Sequence, residues 1–164
     1  MPTLEQIGKA GEEIVSFVYR KMGHNVVLSK DKYDTKKDMT IDSILVEVKT
    51  QTIFRLFEVD GEFHPAFTVN IETGYGKVYH NQLNKCKTVE KLIFVARSSK
   101  NKRVVEIYEA PPPSDRKYHV SRNKRDNRLV AGFLISDMTL VSQIKEDIVV
   151  NYFMDNWRSN AKSF

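Results

Sequence analysis

The sequence predicts an α/β fold with a mixed sheet, and three observations carry that prediction. An amphipathic helical pattern opens the chain. Short apolar strands separated by turn signals follow it, and a second helical segment precedes two further apolar strands. At 164 residues the chain is one domain with an appendage. Its 41% hydrophobic content supplies a core and excludes a disordered chain.

The first helix is expected from about Leu4 to Met22. Thr3 and Gln6 have capping-box spacing, and Ile7, Gly11, Ile14, Val18 and Met22 recur on one helical face. Gly23 is a C-terminal stop. Val26–Leu28 reads as a strand and 29–37 as a polar loop. Met39–Ile41 and Ile44–Lys49 read as strands joined at Asp42-Ser43. Ile53–Val59 and Phe63–Ile71 flank Asp60-Gly61, the strongest hairpin signal in the chain. Residues 81–87 read as a short helix, and Leu92–Ala96 and Val104–Tyr108 as strands. Pro111-Pro112-Pro113 must be extended and sets the expected boundary. Residues 1–110 form the expected core. Residues 111–164 form a basic extension packed on it, with a strand at Leu129–Ile135 and a helix from about Gln143 to Trp157.

No apolar run approaches the roughly 18 residues of a membrane span. The N-terminus lacks an apolar signal segment, which implies a cytoplasmic protein. Cys86 is the single cysteine, so an internal disulfide framework is excluded. Four scattered histidines make no His/Cys metal cluster. The net charge of +5 points to a polyanionic partner. That charge is concentrated. Arg116, Lys117, Arg122, Lys124, Arg125 and Arg128 face Asp126 alone, and Arg97, Lys100, Lys102 and Arg103 form a second cluster without an acid. Tyr118, His119, Ser121 and Asn123 interleave the longer run. Such residues contact phosphates and base edges, although a charge run is also the ordinary composition of a solvated loop.

The chemistry lies in residues 38–51. Strand alternation puts Glu47, Lys49 and Gln51 on one face, and Val46 and Val48 on the other. A two-residue turn at Asp42-Ser43 would pair Ile41 with Ile44, Thr40 with Leu45, Met39 with Val46, and Asp38 with Glu47. Opposed carboxylates in a sheet need a cation between them. Hard oxygen ligands suit Mg²⁺, and a neighbouring ammonium can orient a water for phosphodiester hydrolysis.

The helix with Gly11-Glu12, then Asp38, then Glu47-Val48-Lys49 resembles the PD-(D/E)XK nuclease superfamily, which includes restriction endonucleases, Holliday-junction resolvases and some homing endonucleases. The resemblance covers roughly residues 6 to 110, with Lys37 where the family often has proline. It implies a restriction-endonuclease-like α-β-β-β-α-β core. It also implies Asp38 and Glu47 as metal ligands, with Lys49 as the catalytic lysine. Glu12 is expected to join the ligand set, because it sits at the edge of the apolar stripe while Glu13 turns toward solvent. Gln51 is expected to contact phosphate or a water at the site. The implied activity is Mg²⁺-dependent cleavage of double-stranded DNA by a homodimer or higher symmetric oligomer, with Mn²⁺ able to substitute. The implied target is a sequence. Alternatives are a structure-selective resolvase and a non-catalytic nucleic-acid-binding module.

Overall fold

The computed structural model describes residues 4–28, 39–71, 80–98, 101, 104–125 and 127–145. Helix α1 (Leu4–Lys21) forms as the periodicity requires, burying Ile7, Ala10, Ile14, Val15 and Val18 along one stripe. Gly23 ends it at φ 94°. The His24 N–H donates to Tyr19 O at 2.9 Å and the Gly23 N–H to Arg20 O at 2.9 Å, the pairing of a Schellman cap.

Strands β1 (Val26–Leu28), β2 (Met39–Ile41) and β3 (Ile44–Ile53) run antiparallel to one another in sequence. Asp42 and Ser43 both adopt positive φ, 52° and 69°, which makes the two-residue turn. Serine is strained there, and Asp42 anchors the turn. Its carboxylate accepts the Asn25 N–H at 2.9 Å and meets His24 Nδ1 at 2.6 Å. The register follows: Ile41 pairs with Ile44, Thr40 with Leu45, and Met39 with Val46.

The chain turns a corner at Phe54 and enters a second sheet. Strands β4 (Arg55–Val59) and β5 (Glu62–Asn70) form the hairpin at Asp60-Gly61, where both turn residues again have positive φ. Helix α2 (His80–Thr88) leads to β6 (Lys91–Arg97) and β7 (Val105–Glu109), back in the first sheet. The segment after Ala110 contributes to both sheets. Strands β8 (His119–Arg122) and β9 (Leu129–Leu134) join the second, while β10 (Thr139–Ile144) joins the first. Gln143 and Ile144 therefore belong to a strand, not to the start of a helix. Their backbone pairs with Glu106 and Val105 of β7, and Ile144 is buried in the core. The rest of the expected terminal helix lies outside the described residues.

The first sheet has the order β1-β2-β3-β6-β7-β10, with β3 and β6 parallel and its other pairings antiparallel. This is a mixed-sheet α/β fold. The second sheet has the order β4-β5-β9-β8 and is antiparallel. Two cores result. Val46 and Val48 of β3 meet α1 on one face of the first sheet. On the other face, Phe94 of β6 stacks on Phe67 of β5 at 4.2 Å between ring centres, with Phe133 of β9 beside it. Those rings join the two sheets.

Candidate active site and nucleic-acid interface

Alternation along β3 divides its side chains between the two cores. Val46 and Val48 pack with α1, so Glu47, Lys49 and Gln51 share the opposite face. Glu47 is only 3% exposed. An ionised carboxylate removed from water needs a cation, and the Lys49 ammonium lies 3.1 Å from Glu47 Oε1. The β2–β3 register agrees with the sequence expectation at all three described pairs. The fourth pair would set position 38 opposite Glu47, and Asp38 lies outside the described residues. Among the described residues no three His, Cys, Asp or Glu side chains gather as a metal site. What they offer at this face is the buried Glu47 carboxylate, and carboxylate oxygens are the donors that hard divalent cations take.

On α1, Glu12 is half-buried and Glu13 is exposed. Gly11, between Ala10 and Glu12, lies against Thr50 of β3, so α1 approaches that strand without an intervening side chain. Gln51 has a structural engagement. Its Oε1 accepts the Thr68 N–H at 2.7 Å and the Thr68 hydroxyl at 3.0 Å, tying the end of β3 to β5 of the second sheet.

Beyond Gln51 opens a groove of about 1020 Å³. It is bounded by Thr50 and Gln51, by the outer face of the second sheet, and by the β8–β9 turn. Among the described residues, Arg55, Arg122, Lys124, Arg125 and Arg128 line it, with Glu58 as the one acid. The turn that carries Lys124 and Arg125 is held by its own backbone. The Asn123 N–H donates to Arg128 O at 2.7 Å, the Asn127 N–H donates to Asn123 O at 2.8 Å, and the Arg125 N–H donates to Asn123 Oδ1 at 2.9 Å. Lys124 reaches Glu58 across the groove at 3.5 Å.

Other members of the basic run have different surroundings. Arg116, expected on DNA, instead closes the end of α2. Its Nη1 donates to Cys86 O at 2.6 Å and Val89 O at 2.9 Å, and its Nε donates to Pro111 O at 3.0 Å. Burial lowers its pKa, yet an arginine with those partners stays charged. Lys117 is exposed and does not line the groove. Arg97 is partly buried at the end of β6, and its burial lowers its pKa. Lys100, Lys102 and Arg103 lie outside the described residues.

Sequence reasoning missed Arg55, Thr68 and Asn70, which also line the groove, while Ser121 and Asn123 line it as the interleaved basic run suggested. Arg55 carried a faint signal as a charge at the start of an otherwise apolar-periodic strand. Asn70 carried none. Among the described residues no helix is long and apolar enough to cross a membrane.

No family model matches the chain, and no curated protein matches it. Among solved structures, a bacterial homing endonuclease is similar at a TM-score of 0.39 and 15% identity, over 67% of this chain and 69% of that one.

Proposed function

We propose that this protein is a metal-dependent endonuclease that hydrolyses phosphodiester bonds in double-stranded DNA at selected sequences. One observation carries the reading. A buried Glu47 and its Lys49 partner sit on the strand face whose next residue, Gln51, lines a groove bearing five cations. Successive residues on one strand face are only about 7 Å apart, so a phosphate in the groove would lie near Lys49.

The Met39–Val46 pairing, extended by one residue, supports a ligand set of Asp38 and Glu47; Glu12, on the helix that packs against the other face of β3, joins that set on the family resemblance alone. Mg²⁺ held there, or Mn²⁺ in its place, would neutralise phosphate charge and favour ionisation of the attacking water. Lys49 holds Glu47 in place and contributes ammonium donors that orient that water and balance the charge developing on phosphate. Gln51 fixes the strand end at the groove. Cutting both strands takes two such sites, so a symmetric homo-oligomer belongs to the proposal.

The test is incubation with Mg²⁺ and, separately, plasmid, a genomic library and a four-way junction. Discrete fragments from the library are expected. Cutting of the junction alone would identify a structure-selective resolvase. Intact DNA in all three would leave a binding module.

A further inference from the structure

We propose that the outer face of the second sheet reads base sequence in the DNA major groove, and that Arg55 makes the decisive contact. This rests on the duplex-cleaving reading above and names how that site would choose its target.

Shape comes first. Gly132 in β9 presents bare backbone to the Phe57 ring of β4, and a Cβ there would come within 2.7 Å of that ring. The Phe57 ring of β4 thereby reaches across β5 to lie on β9. The groove's volume of about 1020 Å³ is at the upper limit of small-ligand pockets. Its lining of five cations against Glu58 selects a polyanion.

The lining also carries the means to read bases. Asn70 and Ser121 offer hydrogen-bonding groups. Leu56 and Phe63 also border the groove, 69% and 61% exposed, from the ribbon face opposite Arg55. A paired antiparallel ribbon fits a major groove about 12 Å wide.

Among the cations, Arg122 Nη1 donates to Asn127 O within the turn, and Lys124 is paired with Glu58. Arg125 stands exposed at the turn tip, where phosphates would pass. Arg55 differs. It is exposed on a strand beside Ala66, and among the described residues no hydrogen bond or ion pair engages its guanidinium. A planar fork held on a rigid strand matches the O6 and N7 acceptors of guanine.

The experiment selects duplexes from a randomised library in Ca²⁺, using wild type, Arg55→Lys and Arg55→Ala. Wild type should enrich one motif. Arg55→Lys keeps the charge and loses the fork, so unselected duplex should bind with wild-type affinity and salt dependence. Its preference for G·C at one motif position should fall by roughly 5- to 150-fold. Arg55→Ala should lose the same preference and also flatten the salt dependence. Enrichment of the wild-type motif by both variants would overturn the assignment. So would a wild type that binds duplex yet enriches no motif, with the cleavage reading left standing. A wild type that binds no duplex would defeat the cleavage reading itself.

Discussion

Gly11 of α1 and Thr50 of β3 are packed so closely that a methyl group on Gly11 would overlap the Thr50 side chain. The overlap is with Oγ1, Cβ and Cγ2 alike, so no rotation of that branched side chain clears it. This contact fixes the helix against the strand end that meets the groove. Gly11→Ala should cost about 1–2 kcal/mol, because overpacking of about 1–3 kcal/mol outweighs a helix-propensity gain of about 1. The Thr50 hydroxyl is buried with no hydrogen-bond partner among the described residues, so Thr50→Ala should be nearly neutral alone. The double mutant should recover much of the loss. Urea midpoints for the four proteins give the coupling, and additive effects would contradict the contact.

The basic run should divide by function. Arg116→Ala removes donors from the carbonyls of Cys86, Val89 and Pro111, and should cost about 2–4 kcal/mol of stability. At a temperature where it is folded, its DNA affinity should match wild type. Lys124→Ala with Arg125→Ala should leave the unfolding midpoint within about 0.5 kcal/mol, as exposed sites do. The slope of log K against log salt should fall by up to about two units. Equal salt slopes in the two variants would contradict the division.

Much of the site's framework was legible because turn chemistry is local. Asp60-Gly61 and Gly23 announce their backbone conformations, and apolar periodicity gave α1 to within one residue. The Asp42-Ser43 register was legible from alternation, although its cause was not. Asp42 is anchored by His24 and Asn25, eighteen and seventeen residues away in sequence. Strands β8 and β10 were hidden for another reason. Their sequences HVSR and TLVSQI are short and polar-rich, and they form because β9 and β7 present unpaired edges. The role of Arg116 was equally invisible, since its carbonyl partners Cys86, in α2, and Val89, just beyond it, lie 27 to 30 residues earlier in the chain.

Acid should loosen the β2–β3 turn through Asp42. The hydrogen bond with His24 is the main cause of its lowered pKa, helped by the Asn25 N–H. A carboxylate with a depressed folded pKa adds stability that is fully present above its unfolded value of about 4 and lost as pH falls through the folded value. Asp42→Asn should therefore be less stable than wild type at neutral pH, and the two should converge as pH falls through the lowered folded value. Urea midpoints measured across pH test this, and a gap independent of pH would contradict it.

Single-turnover cleavage of one target duplex, with binding measured in parallel, tests the account most directly. Wild type is compared with Asp38→Asn, Glu47→Gln and Lys49→Ala. Each variant should bind the duplex within a few-fold of wild type in Ca²⁺ and cut it at least about 100-fold more slowly in Mg²⁺, the scale of losing a group that acts on the reacting phosphate. Cleavage at the wild-type rate by Glu47→Gln or Lys49→Ala would contradict the account, because the buried pair on β3 would then have no part in the chemistry.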